Sequence, residues 1–408
     1  MADRDGRLAR WRMRYPTVAE LEGLARRRVP SFAMDFLVGG TGDEACVSRN
    51  RAALGKVEIV PRYGVDVSAV DVSTELFGVR HAAPLAIAPI GMDGAVWPGA
   101  SRSLAATARD LNLVYMPSTM AAASLEDIAA RAPGQAWFQL YGFPDDDHRV
   151  TFDLIARAET AGVNALAVTL DIPVPARRIR DMRNGLLPQF KVTPGKVAAM
   201  LARPVWLAAV AREGLPQVVN MRPYCSKGAG KGELDRFVQQ GRAGSGVTWD
   251  VIARIRERWK KPLLVKGILH PRDAERAKAL GVDGIVVSNH GGRQFDAAPA
   301  TIDMLPAVRA AVGPQMTVLM DGGILSGLDI LRALALGADG VLAGRAFMLG
   351  LAAFGADGAQ HVARTMIEEL RIAMAQAGIV DVQGARTLAV RHKAAWTADE
   401  FSVREKSS

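Results

Sequence analysis

The segment from Ser288 to Gln294 (SNHGGRQ) places a histidine and an arginine three positions apart, with two glycines between them. The imidazole of His290 can accept a proton from a hydroxyl group. The guanidinium of Arg293 can bind a carboxylate through two hydrogen bonds, and the glycines let the backbone approach a ligand. A lone histidine is more often structural, but this combination indicates chemistry on a 2-hydroxy acid.

Eight short apolar runs, bounded by glycine, proline or polar residues, are distributed along the chain. They are nearly continuous rather than alternating, as expected of strands that are buried on both faces. The predicted strands lie within Leu85–Gly91, Leu113–Thr119, Ala136–Tyr141, Ala165–Asp171, Pro262–Gly267, Gly284–Asn289, Thr317–Gly323 and Gly340–Arg345.

Helical patterns separate most of these runs, so a β-α unit recurs eight times and predicts an α/β protein with a (β/α)8 TIM barrel. The predicted helices are Ala100–Asp110, Ser124–Ala132, Val150–Ala161, Trp249–Trp259, Pro271–Leu280, Thr301–Val312, Gly327–Leu336 and Asp357–Gln376.

Polar side chains collect where the predicted strands end, and in a (β/α)8 barrel that face carries the active site. One polar strand end means little, but packing alone does not account for such an end on strand after strand. The residues are Ser118, Gln139, Tyr141, Thr169, Asp171, Lys266, Ser288, Asn289, His290, Asp321 and Arg345.

The seventh and eighth strands end in Asp321-Gly322-Gly323 and Gly344-Arg345. The loops after these two strands commonly bind a phosphate in this fold, and glycines let backbone N–H groups approach an anion. We also expect the positive end of the helix starting near Gly327 and the charge of Arg345 to contribute. The simpler interpretation of the paired glycines is a tight turn.

We interpret residues 1–408 as a single domain in which 85–390 form the barrel. Residues 1–84 form an N-terminal extension, expected to be helical to about Leu54 and irregular beyond it. The connection after the fourth strand, 172–261, is far longer than an ordinary βα loop, which indicates a functional or a disordered insertion.

The chain has 51 basic and 42 acidic residues, a net charge of +9. Between Phe190 and Gly246 there are nine Lys or Arg and three acids, so this segment alone carries +6. Aromatic residues do not alternate with the basic ones, which argues against nucleic-acid binding. Cys46 and Cys225 have no CxxC spacing and no secretory signal is recognisable, so we expect a cytoplasmic protein without a metal site.

The stretch Val197–Ala211 combines apolar residues and Trp206 with the basic charge of the segment around it. Basic and apolar residues together are typical of a segment at a membrane surface. Residues 190–246 are therefore a candidate for peripheral contact with the inner face of the membrane. A lid or a contact between subunits is the alternative, since Pro204 interrupts the helical pattern.

From about Val29 to Val390 the sequence resembles the FMN-dependent L-2-hydroxy acid dehydrogenase/oxidase family, which includes glycolate oxidase, bacterial L-lactate dehydrogenase and mandelate dehydrogenase. The motif SNHGGRQ is the most specific element. It is accompanied, in family order, by Phe138–Tyr141 (FQLY), Val168–Asp171 (VTLD) and Val265–Ile268 (VKGI), and by the DGG and GR motifs. Gly94–Pro98 (GAVWP) is most similar to the mandelate dehydrogenase branch, and family members are tetramers.

The resemblance implies a role for each matching residue. His290 would be the catalytic base and Asp171 its partner, while Tyr141, Arg178 and Arg293 would bind the substrate. Lys266 would lie near the flavin edge that gains negative charge on reduction. The full set of implied FMN-binding residues is Pro89, Ile90, Gly91, Ser118, Gln139, Thr169, Lys266, Ser288, Asp321, Gly322, Gly323, Gly344 and Arg345.

Three positions depart from the family pattern or divide the family. Phe36 replaces a tyrosine whose hydroxyl bonds the substrate carboxylate, which leaves the substrate open. Leu325 replaces an arginine after the DGG motif, so one contact on the cofactor side is missing. Gly91 occupies a position that is alanine in plant-type glycolate oxidases and glycine in mandelate dehydrogenase. The glycine therefore favours a dehydrogenase.

The function expected from the resemblance is oxidation of an L-2-hydroxy acid to the 2-oxo acid, with reduced FMN reoxidised by a quinone-type acceptor or by oxygen. Two alternatives remain. One is a flavin barrel enzyme acting on a larger hydroxyl-bearing metabolite, which Phe36 motivates. The other is a flavin-binding protein without turnover, against which His290, Asp171, Lys266, Arg178 and Arg293 argue.

Overall fold

The computed structural model describes residues 2–185, 192–225 and 243–402. Eight parallel strands follow the predicted apolar runs, and helices follow most of them, so the predicted α/β barrel is confirmed. The barrel strands are β1 (Leu85–Ile87), β2 (Val114–Tyr115), β3 (Phe138–Leu140), β4 (Leu166–Thr169), β5 (Leu263–Ile268), β6 (Gly284–Val287), β7 (Thr317–Met320) and β8 (Gly340–Ala343).

The strands are ordered β2-β1-β8-β7-β6-β5-β4-β3 in the sheet. Parallel bridges between Tyr115 and Ala136 and between Ser118 and Gln139 bring the two outer strands together and close the barrel. The barrel helices are α1 (Ala100–Leu111), α2 (Leu125–Arg131), α3 (Asp145–Thr160), α4 (Trp249–Arg258), α5 (Pro271–Ala279), α6 (Thr301–Val312), α7 (Gly327–Ala335) and α8 (Gly358–Ala377).

The barrel interior is a cluster of alanines and larger apolar side chains, among them Trp137, Leu264 and Leu319. A short hairpin, Thr74–Leu76 and Val79–His81, closes one end of this cluster with Leu76, and Phe77 packs on Trp137. Because that end is filled, the opposite face, where the strands end, is the one that can bind a ligand.

The N-terminal extension is helical to Leu54, as predicted. Its helices are Ala2–Arg14, Leu21–Arg28, Ser31–Val38 and Ala45–Leu54. The expectation of irregular chain beyond Leu54 is wrong in part. Besides the hairpin, Glu58–Val60 pairs antiparallel with Ala389–Arg391, and strands of three residues are too short to show a periodicity in the sequence.

A helix that the sequence pattern did not indicate, Arg345–Phe354, lies between β8 and α8. All but two of its ten residues are buried apolar or glycine residues, so it has no polar face that would mark a helix. Its packing partners include the N-terminal helix Leu21–Arg28. A short extra helix at this point is the element that often helps to bind phosphate in barrels.

The insertion after β4 is largely ordered where the structure describes it. It contains the helices Ile179–Arg183, Pro194–Leu201 and Pro204–Glu213 and a 3-10 turn, Val219–Tyr224. Residues 186–191 and 226–242 lie outside the described residues, so that residues 190–191 and 226–242 of the basic segment 190–246 are not described. Within the described part of the chain, no helix is long and apolar enough to cross a membrane.

Candidate active site

His290 follows β6 and lies between two polar partners. Its Nδ1 is 2.9 Å from Asp171 Oδ1, and its Nε2 is 3.4 Å from the hydroxyl of Tyr141. The backbone of His290 adopts the left-handed region (φ 57°), and its N–H donates to Ser288 Oγ at 3.0 Å. The carboxylate fixes the proton on Nδ1, which leaves Nε2 as the acceptor that faces the cavity.

Burial lowers the pKa of His290, and the positive charge of Lys266 acts in the same direction, although Asp171 opposes both. The imidazole is therefore neutral near pH 7 and able to accept a proton. Burial raises the pKa of Asp171, but His290 and Lys266 more than offset this, so its pKa lies below the usual range. Asp171 is thus the charged member of the pair.

Lys266, in the second half of β5, is buried between two carboxylates. Its Nζ is 3.1 Å from Asp321 Oδ2 and 3.9 Å from Asp171 Oδ2, and it donates to Ser288 Oγ at 2.8 Å. Burial lowers the pKa of Lys266, but the two carboxylates outweigh it and the pKa is raised. The ammonium is therefore a permanent positive charge on the cavity wall.

A chain of hydrogen bonds joins the ends of β2, β3 and β4. Ser118 Oγ donates to Gln139 Oε1, and Gln139 Nε2 donates to Thr169 Oγ1, both at 2.9 Å. The N–H of Met120 donates to Ser118 Oγ at 3.1 Å. These bonds fix the amide of Gln139 in one orientation, so that its polar edge is presented to the cavity in a defined way.

Two arginines are held by the C-terminal end of the helix Ser31–Val38, whose last carbonyls have no partner within the helix. Arg293 Nη1 donates to the carbonyls of Phe36 and Gly39 at 2.7 and 2.8 Å. Arg345 donates to the carbonyls of Leu37, Gly39 and Gly291 at 2.8 to 3.2 Å. The guanidinium of Arg293 also lies 4.9 Å from the ring centre of Phe36, a cation–π contact.

The remaining donors of Arg293, Nε and Nη2, have no hydrogen-bond partner among the described residues. Burial lowers the pKa of Arg293, and the nearby charges of Arg178 and Arg345 lower it further. Arg178 is 3.8 Å from Asp181, whose pKa is raised by burial. An anion bound here would relieve the repulsion between these cations, as expected of a carboxylate site.

One cavity of about 390 Å3 collects most of the predicted residues. Three of them, Ser118, Asp171 and Ser288, do not line it but bond the residues that do. The predicted residues on its wall are Phe36, Pro89, Ile90, Gly91, Gln139, Tyr141, Thr169, Arg178, Lys266, His290, Arg293, Asp321, Gly322, Gly323, Gly344 and Arg345.

The cavity has two ends, which we name by their position. The histidine end carries His290, Tyr141, Arg178 and Arg293, and the β7–β8 end is formed by the loops after those two strands. The helix Arg345–Phe354 begins at the β7–β8 end, where Gly344 and Arg345 line the wall. Because the first N–H groups of a helix have no partner within it, this end of the cavity suits an anion.

The expected contribution of α7 to anion binding is wrong. The N–H groups of Leu325 and Ser326 donate to Asp329 Oδ2, both at 3.1 Å, and the N–H of Gly327 donates to Glu369 Oε2 at 2.7 Å. Two carboxylates therefore occupy the start of α7. Arg345 also differs from expectation, because its guanidinium binds backbone carbonyls rather than facing the cavity freely.

Several cavity residues were not singled out from the sequence. Val47 and Arg51 come from the N-terminal helix Ala45–Leu54, and no sequence motif marks them as ligand-binding. The others are apolar residues, most of them close in sequence to predicted ones, and this proximity could have indicated them. They are Leu37, Ala88, Met92, Met120, Ile172, Pro175, Ala176, Ile324, Leu342 and Ala343, while Ala243 of the insertion has no predicted neighbour.

These residues fit FMN, a flat ring system with a phosphate tail. Asp321 lines the cavity, and its Oδ1 is buried without a hydrogen bond in the described part of the chain. Gln139, Thr169 and Lys266 offer polar groups along the wall. Gly322 and Gly323 line the β7–β8 end and have positive φ, a backbone conformation that glycine adopts without strain.

Comparison with known proteins agrees with this geometry. A 4-hydroxymandelate oxidase of Amycolatopsis orientalis is 40% identical over 377 residues, which is 92% of this chain and 98% of that protein. An L-lactate dehydrogenase of Caulobacter vibrioides is 40% identical over 359 residues, 88% and 93% of the two chains. A solved structure of mandelate oxidase matches with a TM-score of 0.78 at 38% identity, covering 93% of this chain and 99% of that one.

The sequence profile described as FMN-dependent dehydrogenase matches residues 25–392. This range includes both ends of the cavity and the N-terminal helix Ser31–Val38, whose C-terminal end binds Arg293 and Arg345. The chain therefore belongs to the FMN-dependent dehydrogenase family, whose members oxidise 2-hydroxy acids.

Proposed function

We propose that this protein oxidises L-2-hydroxy acids with an aromatic or otherwise bulky side chain to 2-oxo acids, with His290 as the base. The observation that carries the proposal is the position of His290 Nε2, which faces the same cavity as the free donors of Arg293. FMN, when bound, supplies the acceptor for the hydrogen of the substrate carbon and its two bonding electrons.

Some of these residues bind the substrate, and others take part in proton transfer. Arg293, through Nε and Nη2, binds the substrate carboxylate, with Arg178 and the Tyr141 hydroxyl as further donors. His290 Nε2 takes the proton of the substrate hydroxyl, and Asp171 stabilises the imidazolium that results. Lys266 provides a fixed positive charge on the cavity wall, which would stabilise the negative charge that the flavin gains on reduction.

The preference for a bulky substrate rests on the apolar lining and on Phe36. Burial of apolar substrate surface contributes roughly 25 cal/mol per Å2, and Met92 and Met120 can adapt to an aromatic ring. Phe36 cannot donate a hydrogen bond to the carboxylate, which penalises small substrates that depend on polar contacts. The two mandelate-oxidising relatives are consistent with this preference.

Anaerobic bleaching of the flavin tests the proposal. Glycolate, L-lactate, L-mandelate, 4-hydroxymandelate and a long-chain 2-hydroxy acid are mixed with the holoprotein, and the rate of loss of the yellow colour is measured. We expect kcat/KM to rise from glycolate to the aromatic acids. A protein that prefers glycolate, or that no 2-hydroxy acid bleaches, would contradict the proposal.

We propose a quinone-type acceptor over oxygen for reoxidation of the flavin. The support is Gly91 together with the Gly94–Pro98 stretch, which resembles the mandelate dehydrogenase branch. An alanine Cβ at position 91 would lie 3.1 Å from Met120 Cβ and 3.7 Å from Ser118 Oγ, so the glycine leaves room on this wall. Stopped-flow mixing of reduced protein with oxygen decides the point, since a fast reaction would contradict it.

We further propose a cytoplasmic homotetramer of single-domain chains, with peripheral membrane contact through residues 190–246. Leu201 and Leu215, which are 68% and 69% exposed, support the membrane contact. Trp206 does not, because it is buried, donates to the carbonyl of Val96 at 3.1 Å and packs edge-on against Phe32. Sedimentation measures the oligomer, and flotation with anionic liposomes at low salt tests the membrane contact.

A further inference from the structure

The β7–β8 end of the cavity has fewer free positive groups than its sequence predicts. The start of α7 is occupied by Asp329 and Glu369. The guanidinium of Arg345 is bound to three backbone carbonyls. Position 325 is a leucine. A phosphate dianion at this end therefore needs a cation from elsewhere in the chain.

Arg51, on the N-terminal helix Ala45–Leu54, reaches this end of the cavity. Its Nη1 donates to the carbonyl of Gly323 at 2.5 Å and to Asp329 Oδ2 at 2.6 Å. Its Nε and Nη2 have no hydrogen bond to any residue that the structure describes. The side chain is 44% exposed, so these donors are open to the cavity and to solvent.

Arg51 lies close to position 325, where a leucine brings no charge. The same oxygen of Asp329 that binds Arg51 also accepts the N–H of Leu325, at 3.1 Å. The guanidinium thus lies beside the backbone of the residue whose side chain brings no charge. Val47, four positions earlier and on the same face of the helix, lines the same cavity.

We propose that Arg51 is the cation that binds the phosphate of FMN in this protein, supplied by the N-terminal extension in place of a charge at position 325. The inference rests on the proposed placement of the phosphate at the β7–β8 end. The pair with Asp329 pre-orients the guanidinium, and Nε and Nη2 remain available for two charge-assisted hydrogen bonds to phosphate oxygens.

Titration of the apoprotein with FMN and with riboflavin, which lacks the phosphate, tests this role. Quenching of flavin fluorescence gives both dissociation constants. Arg51→Gln should raise the Kd for FMN about ten- to hundredfold, as expected for loss of hydrogen bonds to a charged group, and leave the Kd for riboflavin unchanged. Arg51→Lys keeps the charge and should recover part of the loss.

Arg332→Gln is the matched control. Arg332 is the other cation on Asp329, at 3.4 Å, and it binds the carbonyl of Val57 outside the cavity. Its removal should leave the ratio of the two dissociation constants at the wild-type value. An Arg51→Gln protein that binds FMN within about twofold of wild type, or that weakens both flavins equally, would overturn the proposal. Because the titration contains no hydroxy acid, its result is independent of the bleaching experiment.

Discussion

The two ends of the cavity are built from different parts of the chain. At the histidine end, His290, Asp171 and Tyr141 follow barrel strands, and rigid strands position the proton-transfer atoms. At the β7–β8 end, the strand loops supply mainly backbone, and a helix of the N-terminal extension supplies Arg51. The proton transfer that we propose thus depends on the barrel itself, whereas the proposed neutralisation of the phosphate depends on how a helix remote in sequence packs against the barrel.

Replacement of His290 by glutamine should have the largest effect on the rate, and this effect should be confined to the histidine end. Loss of a general base lowers the rate by about 10²- to 10⁴-fold, while FMN binding is retained. The rate of anaerobic flavin reduction measures the first quantity and fluorescence titration the second. His392→Gln is the control, since His392 pairs with Asp303 at 2.7 Å away from the cavity. Near wild-type reduction by His290→Gln would exclude His290 as the base.

Lys266 is the residue that joins the two ends, because it contacts Asp171 at one and Asp321 at the other. Lys266→Met leaves two buried carboxylates without their cation and should lower the free energy of unfolding by about 3–5 kcal/mol. Urea unfolding measures the loss. Lys261→Met is the control, because its ammonium donates to the carbonyl of Val163 and lies 5.7 Å from the ring centre of Trp259 but pairs with no carboxylate among the described residues. If the two variants had equal free energies of unfolding, Lys266 would not join the two ends of the cavity energetically.

The dependence of kcat/KM on pH should report His290 alone among the groups of the histidine end. The imidazole accepts a proton only when neutral, so the rate falls as the pH falls through its pKa. Because burial lowers this pKa, the midpoint of the acid limb should lie below the ordinary value of about 6.5, with a tenfold loss per pH unit beyond it. A midpoint above 6.5 would mean that Asp171 outweighs burial.

Phe36→Tyr tests whether the N-terminal extension also selects the substrate. A hydroxyl at this position can donate to the carboxylate, which should raise the ratio of kcat/KM for L-lactate to that for L-mandelate by about three- to tenfold. Phe36→Leu, which removes the ring from Arg293 without adding a hydroxyl, is the comparison variant. An unchanged ratio in Phe36→Tyr would show that Phe36 does not select for size.

The smallest effect is predicted from a comparison of two glycines with positive φ, Gly323 and Gly313. An alanine at either Gly323 or Gly313 is strained by about 1–2 kcal/mol. At Gly323 the added Cβ would also lie 3.2 Å from the backbone of Asn50 and from Leu54, whereas at Gly313 it meets nothing within 4 Å. Only Gly323→Ala should therefore displace the helix that carries Arg51 and raise the Kd for FMN, by a few-fold. Equal Kd values would contradict this.

The histidine end was predictable from the sequence because its residues follow apolar runs at regular intervals. A parallel strand buried on both faces is recognisable locally, and the barrel then places all strand ends on one face. His290, Asp171 and Tyr141 could be grouped by this rule alone. Their hydrogen bonds in the structure agree with the grouping.

The β7–β8 end was less predictable because its electrostatics depend on contacts between distant segments. The carboxylate of Glu369 belongs to α8, yet it occupies the N–H of Gly327 at the start of α7. Arg51 lies far from the glycine motif in sequence and adjacent to it in space. The helix Arg345–Phe354 was not predicted for a different reason, since eight of its ten residues are buried and it has no polar face that would mark a helix.

The binding of Arg293 and Arg345 by the helix Ser31–Val38 also has a consequence for how the protein is made. The hydrogen bonds join residues 257 and 308 positions apart. A ribosome releases this helix before the segments that carry Arg293 and Arg345, and contacts between distant segments form late in folding. Arg293, which we propose binds the substrate carboxylate, can therefore reach these carbonyls only after the chain has emerged beyond β6, and Arg345 only after it has emerged beyond β8, so a nascent chain that ends before these points lacks both contacts.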